Sequence, residues 1–307
     1  QLAFHDGEAA TQDFLLSNED LLIPGKKIDI KAGYHNDEES IFKGIIIKHS
    51  LKIRENASIL VIECRDEAVK MTIGRKNSYY YESTDSDIME EIGGKYDLEL
   101  DIESTDYSHK ELIQYQSSDW DFMMTRAQAN GKVCILDSGS LSIAAPNLTE
   151  AEIETVAFGS TLLAFDSEID ARNQFGTITS YGWNPSEQEI VEAEASDPGV
   201  SLNGNLDAKG LADVIGLENL ELKHGGNYNS TLLQSWSDAK ALFQQLSRTR
   251  GRIKFQGIAK AKPGTIIKLE GVGDRFNGPV YISAVRHAVS DGNWTVDAEF
   301  GVNPKWF

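Results

Sequence analysis

The sequence is poor in basic residues and cysteine, and it contains no long hydrophobic run. Lys and Arg number 29 against 48 Asp and Glu, which gives a formal net charge of −19 over 307 residues. Sequence-independent binding of a phosphate backbone needs the opposite sign of charge, so this composition argues against nucleic acid as a partner. Because no run of about 18 apolar residues occurs, the sequence predicts no membrane span.

Recognisable catalytic and cofactor motifs are also missing. The sequence has no Gly-x-Ser-x-Gly and no phosphate-binding Gly-Lys-Ser/Thr, and its Gly271-Val-Gly273 lacks the third glycine of a dinucleotide loop. No two histidines are four residues apart, and none has a metal-ligand spacing to a cysteine. We therefore predict no catalytic residue, no metal site and no cofactor, in a protein that is not an enzyme.

Two cysteines and several paired acids leave narrower alternatives open. Cys64 and Cys134 each lie in an apolar stretch, which is more typical of small core residues than of a disulfide. Neighbouring carboxylates are also the acid–base pairs of hydrolases. In so acidic a chain such pairs are expected on solvated faces, so we interpret them as surface charge. They are Glu90 with Glu91, Asp119 with Asp121, and Glu187 with Glu189.

The main positive feature is a segment that occurs twice. Pro24 to Glu63 and Pro263 to Glu299 each open with Pro-Gly and an alternating apolar strand, then cross a Gly-containing loop into two further strands. The ordered matches indicate an internal duplication, with two unrelated three-stranded meanders as the alternative. The matched apolar positions of the first strand are Ile28 and Ile30 with Ile267 and Leu269.

A basic residue followed by histidine closes the second strand of each copy, at His49 and His287. One gap aligns the two copies from the proline to the histidine. We interpret the histidines as equivalent strand-end residues that hydrogen-bond within their units, rather than as catalytic groups.

Helices and a hairpin are predicted between the copies. Ser118 to Gly131 has a capping serine, an apolar stripe and a terminal glycine, which together predict a helix. Lys132–Leu136 and Ser140–Ala144 predict a hairpin whose turn needs positive φ at Gly139. Ser230–Thr249 places its apolar residues on one face and is the longest helix candidate.

The order of these elements resembles the hub region of VgrG spike proteins and of the late-control D proteins of contractile phage tails. Gln116-Ser-Ser-Asp-Trp-Asp-Phe-Met-Met-Thr-Arg-Ala-Gln-Ala-Asn-Gly131 is similar to the family's Ser-Asp-Trp/Phe-x-Phe helix leading to Ala-x-x-Gly. Pro263-Gly264 through Val285-Arg286-His287 to Trp294 is similar to its closing Pro-Gly … Val-x-His … Trp unit. The resemblance covers nearly the whole chain. It implies an α+β, β-rich fold with two homologous β-barrel, tube-type domains and an inserted small α/β domain.

The resemblance also implies discontinuous domains. Residues 1–75 would form the first β-barrel, residues 76–148 and 197–250 the α/β insert region, and residues 149–196 and 251–307 the second barrel. Pro185 to Gly204 is acidic and is expected to be poor in strands. Members of the family continue into an OB-fold and a β-helical needle. Because this chain reaches Pro304-Lys305-Trp306-Phe307 directly after the second unit, we expect that C-terminal part to be absent from it.

The implied function is mechanical. A homotrimer of such chains would join a hexameric, Hcp-like tail tube to a threefold spike, since two similar barrels in three chains make six like surfaces. Spike-tip or effector proteins would be further partners, in a type VI secretion system, a phage tail or a related contractile injection system. We expect assembly in the bacterial cytoplasm followed by secretion or injection with the tube, because no signal peptide is visible after Gln1.

A stand-alone β-rich carbohydrate-binding module, or a secreted glycan-acting protein, is the alternative from a different class. Trp183, Trp294 and the run Tyr79-Tyr80-Tyr81 would supply its stacking surface. Three consecutive tyrosines are more often half-buried packing residues, which weakens this alternative. Oligomeric state separates the two functions, because the module would be a monomer and the hub a trimer.

Overall fold

The computed structural model describes residues 1–302 except 201, 217 and 227, and it shows a β-rich chain with few helices. Strands make up 46% of the chain and helices 19%, and a sheet curls into a half barrel, which confirms the predicted α+β, β-rich fold class. No helix of the described part is long and apolar enough to span a membrane. The predicted chain end at Pro304 to Phe307 lies outside the described residues.

The N-terminal residues form a four-stranded antiparallel sheet. Its strands are β1 (Leu2–His5), β2 (Lys27–Tyr34), β3 (Asp37–Arg54) and β4 (Ala57–Arg65). They pair in the order β1-β4-β3-β2. Successive side chains of a strand point to opposite faces, so Ile46, Leu60 and Ile62 fall on the inner face, where each is at most 1% exposed.

Residues 76–144 form a small α/β unit. Strand β5 pairs with β7, and β6, β9 and β8 form a second sheet in that order. Met89, Ile92 and Met123 are fully buried between these sheets and the helices. The elements are β5 (Lys76–Thr84), α1 (Asp85–Gly93), β6 (Glu99–Ile102), β7 (Ser108–Ser117), α2 (Asp119–Ala129), β8 (Val133–Asp137) and β9 (Ser140–Ala144).

The helix and hairpin predicted for this unit are confirmed. The backbone N–H of Asp121 donates to Ser118 Oγ at 3.1 Å, which caps α2, and Gly131 follows the helix at φ +68°. The turn between β8 and β9 has positive φ at both Ser138 and Gly139, the geometry of the tightest hairpin turns.

The remaining described residues form a six-stranded and a three-stranded sheet with two helices. The larger sheet buries Val156, Ile253, Ile267 and Val296 completely. The elements are β10 (Glu154–Ala157), β11 (Leu162–Ile169), β12 (Thr177–Asn184), β13 (Glu189–Glu194), α3 (Ala208–Ile215), β14 (Asn219–Lys223), α4 (Ser230–Ser247), β15 (Thr249–Gln256), β16 (Ile266–Glu270), β17 (Gly278–Ser290) and β18 (Asn293–Phe300).

Two assignments within the second barrel region need correction. The sequence places residues 149–196 in that barrel, whereas β12 pairs with β13 and β14 in a separate sheet beneath α4. The Oγ of Ser237 on α4 donates to Ser180 Oγ on β12 at 2.7 Å, and both serines are fully buried. The sequence also predicts few strands in Pro185–Gly204, but Glu189–Glu194 pairs as β13 because its exposed edge position tolerates charge.

A buried carboxylate ties the elements of the small α/β unit together. Asp85, at the start of α1, is 1% exposed and accepts hydrogen bonds from Arg126 Nε at 2.6 Å and Nη2 at 2.9 Å. It also contacts His109 Nε2 at 3.1 Å and accepts from Asn130 Nδ2 at 2.8 Å. Burial alone would raise the pKa of Asp85, but the bonds from His109 and Arg126 outweigh burial and hold that pKa well below its usual range.

Removing the cation of the buried Arg126–Asp85 pair should destabilise the protein strongly. Arg126→Met leaves the Asp85 carboxylate buried without its partner, which typically lowers the free energy of unfolding by about 3–5 kcal/mol. Lys95→Met breaks the exposed Lys95–Glu91 pair and should lower it by less than about 1 kcal/mol. Urea denaturation followed by circular dichroism measures both losses. Equal losses for the two variants would contradict a stabilising role for the buried pair.

Candidate functional site

The four-stranded N-terminal sheet recurs within the six-stranded sheet. The first has the order β1-β4-β3-β2, and the second contains β15-β18-β17-β16 as its central four strands. All neighbours within each set are antiparallel. The second sheet adds β10, parallel to β16, at one edge and β11, antiparallel to β15, at the other. We call these two sets of four strands, β1-β4-β3-β2 and β15-β18-β17-β16, the twin units.

The same backbone turn precedes β2 in the first twin unit and β16 in the second. Gly25 and Gly264 have φ of +97° and +91°, a region that favours glycine. The N–H of Gly25 donates to the carbonyl of Ile46 at 2.8 Å, and that of Gly264 donates to Ile282 at 2.8 Å. The isoleucine N–H returns a bond of 2.9 Å to the residue after the glycine in each unit. The Pro-Gly match of the sequence is thus also a match of hydrogen bonds.

A β-bulge occurs at the same place in both units. The pairing of β3 with β4 shifts between Ile46 and Lys48, and the pairing of β17 with β18 shifts between Ile282 and Ala284. Such a bulge inserts one residue and increases the local twist. From Ile46 and Ile282 onward, the two copies align without a gap as far as their pairing partners Cys64 and Phe300.

The register overturns the predicted equivalence of His49 and His287. His49 pairs with Ile62, and His287 pairs with Val296, which is the counterpart of Leu60 rather than of Ile62. His287 therefore corresponds to Leu51, two residues beyond His49. Neither histidine ends its strand, since β3 and β17 continue past both. The first copy is longer between the glycine and the isoleucine because β2 and β3 extend further before their turn, and the alternating pattern does not reveal this difference.

The two histidines nevertheless hydrogen-bond within their units, as the sequence predicts. His49 Nδ1 lies 3.0 Å from the carbonyl oxygen of Leu22. Trp294 Nε1 donates to His287 Nδ1 at 3.2 Å. This bond needs an unprotonated Nδ1, so it favours the neutral imidazole of His287. Both contacts position structural side chains.

Trp294 also joins the twin units to each other. Its ring lies 5.4 Å from that of Tyr34, at the end of β2, measured between centroids. Its five-membered ring covers Gly257, where a Cβ atom would lie only 2.1 Å from Trp294 Cδ2. Gly257 is therefore required for this close approach. Trp294 is 8% exposed, so it does not supply the stacking surface that the carbohydrate-binding alternative assigns to it.

Comparison with known proteins places the chain in a family. A family model described as the Alg8 N-terminal domain matches residues 1–291. The chain belongs to this Alg8 N-terminal domain family. No curated protein matches it. The description of the family names a domain without an activity, so membership of the VgrG and late-control D family stays a prediction that only the fold supports.

Solved structures share the fold of this Alg8-family chain. A tail protein from Neisseria meningitidis MC58 matches with a TM-score of 0.64 at 14% identity, over 94% of this chain and 91% of the other. The 43 kDa tail protein of prophage MuSo2 from Shewanella oneidensis gives 0.62 at 11% identity, over 98% and 87%. A chain of the Francisella PdpA-VgrG complex gives 0.51 at 11% identity, with 99% of this chain covering 47% of the other. The chain therefore has the fold of phage tail proteins.

The cysteines of the Alg8-family chain behave as core residues. Cys64 and Cys134 are both free thiols, as the sequence predicts. Burial raises the pKa of the Cys134 thiol to about 12, and it also raises that of Cys64. The thiolate is the reactive form of cysteine, so neither thiol is activated for nucleophilic attack at neutral pH.

The interpretation of the paired acids as surface charge is wrong for Asp119, which lies in a buried hydrogen-bond network. Asp119 is 2% exposed and accepts hydrogen bonds from Lys76 at 2.7 Å and Tyr96 at 2.5 Å. Burial would raise the pKa of Asp119, but the hydrogen bonds from Lys76, Tyr96 and Gln114 lower it overall. Asp121 instead accepts from Ser118 Oγ at 2.7 Å. No cluster of three or more metal-binding side chains occurs among the described residues.

The tyrosine run is only partly the packing feature that the sequence predicts. Tyr80 is 4% exposed and lies in the core of the small α/β unit, whereas Tyr79 and Tyr81 are 62% and 63% exposed. The alternation of strand β5 is the reason, because neighbouring side chains point to opposite faces. Ile113 on β7 lies opposite Tyr79 and is also exposed.

The two Pro-Gly turns should differ in their tolerance of a side chain. Gly25→Ala and Gly264→Ala both place a Cβ at positive φ, which costs about 1 kcal/mol. At Gly264 the added Cβ would also lie 2.6 Å from Ile135 Cδ1, whereas at Gly25 no atom lies within 4 Å. We expect Gly264→Ala to lower the free energy of unfolding more than Gly25→Ala, as measured by chemical denaturation. A larger loss at Gly25 would contradict this packing of the second turn.

The titration of His287 should reveal its half-buried position. Burial lowers the pKa of His287 below the ordinary value of 6.5. Because the folded-state pKa lies below the unfolded one, the neutral imidazole contributes stability above about pH 6.5 that is lost as the pH falls below it. Proton NMR of the imidazole should give a midpoint below 6.5, with His287→Gln identifying the resonance. A midpoint at or above 6.5 would contradict the partial burial of the His287 imidazole.

Proposed function

We propose that this chain is the structural hub of a contractile injection apparatus. Its fold is that of proteins described as phage tail proteins and of a chain from a PdpA-VgrG complex, which supports a structural role in a tail or spike. The observation that carries the proposal is the twin unit, repeated with the same strand order, Pro-Gly turn, bulge and register.

The twin units address a mismatch of symmetry. A homotrimer with two like units in each chain presents six like surfaces on one side and three chains on the other. A hexameric, Hcp-like tube would bind the six surfaces, and a threefold spike with its tip or effector proteins would bind the three chains. Large homomeric assemblies are usually closed and symmetric, which this arrangement satisfies. Binding surfaces rather than catalytic groups perform this function, so we propose that the chain is not an enzyme.

Unpaired sheet edges support assembly with neighbouring chains. Within the described residues, no further strand pairs with the outer edge of β1 or β2. The corresponding strands of the second unit, β15 and β16, are covered by β11 and β10. Open edges promote uncontrolled association unless another element covers them. We infer that neighbouring subunits or tube proteins cover the edges of the first unit.

The domain division follows from the same proposal with one boundary moved. We propose residues 1–75 as the first β-barrel domain, and residues 149–169 and 251–302 as the second. Residues 76–148 and 197–250 form the insert region, which then also takes in the hairpin of β12 and β13 because that hairpin pairs with β14. We propose cytoplasmic assembly in a bacterium, followed by secretion or injection with the tube.

Carbohydrate binding remains the second candidate because of one specific observation. Tyr79, Tyr81, Ile113 and Tyr115 are all exposed on the β5–β7 ribbon, and Tyr115 is 77% exposed. Exposed aromatic rings of this kind can stack against sugar rings. This function would require a monomer with measurable affinity for a saccharide. The hub function requires neither property.

Oligomeric state and tube binding test the proposal together. Mass photometry should show a trimer of the 33.9 kDa chain, and negative-stain electron microscopy should show it capping rings of the tube protein from the same apparatus. A stable monomer that leaves the rings uncapped would refute the hub. If that monomer bound a saccharide and Tyr79→Ala with Tyr81→Ala removed the binding, the second candidate would replace it.

A further inference from the structure

The hairpins that end the twin units carry a matched pair of exposed aliphatic side chains. Each hairpin runs for seven cross-strand pairs from the bulge to the turn, from Lys48 to Arg54 in the first unit and from Ala284 to Ser290 in the second. Counterparts within them follow directly from this shared register. Ile53 therefore corresponds to Val289, one residue before the last pair of each hairpin.

Most counterparts in the two hairpins differ in chemistry, but this pair does not. Lys48 corresponds to Ala284, and Lys52 corresponds to Ala288, so the basic residues of β3 are not retained in β17 at these positions. Ile53 is 58% exposed and Val289 is 62% exposed, so neither contributes much to a core. A single exposed aliphatic residue needs no special explanation. Here, however, exposed aliphatic residues occur at the same position of two diverged copies and with nearly equal exposure. The packing of the units does not explain this match.

An acidic residue accompanies each aliphatic side chain. Two positions beyond Ile53 the turn begins with Glu55, and two positions beyond Val289 it begins with Asp291. Both acids are exposed. Each hairpin tip thus offers an aliphatic group two residues before a carboxylate. The turns themselves differ, because Asp291 and Gly292 have positive φ whereas Glu55 and Asn56 do not.

We propose that Ile53 and Val289 are equivalent contact points for the sixfold tube, which rests on the hub function proposed above. A partner with a single site per chain would have no use for the same feature twice. A ring of identical subunits meets it twice in each chain and six times in each trimer. The chemistry requires each tube subunit to present an apolar depression with a basic side chain beside it, facing the hairpin tips.

Charge-introducing variants at the two tips test this equivalence. Ile53→Glu and Val289→Glu should each weaken the binding of purified tube rings about tenfold, because a charge then replaces a buried aliphatic contact. The double variant should abolish capping, since both sets of contacts are lost from a multivalent interface. Surface plasmon resonance with immobilised tube rings measures the change, and negative-stain images count capped rings.

The chain supplies matched controls. Leu163 on β11 is also 58% exposed, but β11 has no counterpart in the first unit, so Leu163→Glu should leave ring binding unchanged. The exchange variant Ile53→Val with Val289→Ile should bind like the wild type, because the two positions are equivalent. Circular dichroism and mass photometry verify that each variant remains folded and trimeric.

Each outcome separates the two proposals. A wild-type chain that does not cap rings refutes the hub function itself. If the wild type caps rings and the double variant caps them equally well, only the assignment of the tips is refuted. Loss from one single variant but not the other would also overturn the equivalence. Loss of the trimer in folded variants would show that the tips contact neighbouring subunits instead of the tube.

Discussion

Backbone hydrogen bonding is the constraint on which the rest of this structure depends. The Pro-Gly turn returns the chain so that one glycine N–H meets an isoleucine carbonyl at 2.8 Å in both twin units, and this contact fixes where the next strand pairs. The bulge that follows gives both sheets the same local change of twist. Side chains at the two places have diverged, so Cys64 stands where the other unit has Phe300. The backbone pattern has been kept while its side chains changed.

The sequence predicts the helices, strands and turns of this fold better than it predicts how the two copies of the repeated segment align. The capped helix after Ser118 and the tight turn at Gly139 follow from local chemistry, since a serine cap and a positive φ need no distant partner. The first strand of each twin unit also aligns correctly, because Ile28 and Ile267 follow a fixed turn by the same number of residues. Beyond the intervening loop the sequence misplaces His287 by two positions. A shift of two keeps every side chain on its own face, so alternation of apolar residues does not detect it.

Long-range pairing explains the other differences. Strand β12 has the alternating pattern of any half-buried strand, and nothing in it specifies β14 rather than β16 as a neighbour. The acidic β13 is stabilised by pairing along β12, which outweighs the low strand propensity of glutamate. Likewise the exposed positions of Tyr79 and Tyr81 depend on which face of β5 the helices cover. Long-range pairing decides which side chains of this protein are exposed, so the sequence reveals the repeated unit but not its exposed surface.

The flanking strands make the twin units unequal in how they form during synthesis. All four strands of the first unit lie within the first 65 residues, whereas the sheet that contains the second unit also includes β10 and β11, which pair with strands that follow the insert. Closing such a long loop costs chain entropy before any contact compensates for it. The first copy can therefore fold as it leaves the ribosome and stand complete while the second is still being made. The two sheets share a strand order, and completing their pairing at different times limits the exchange of strands between them during synthesis.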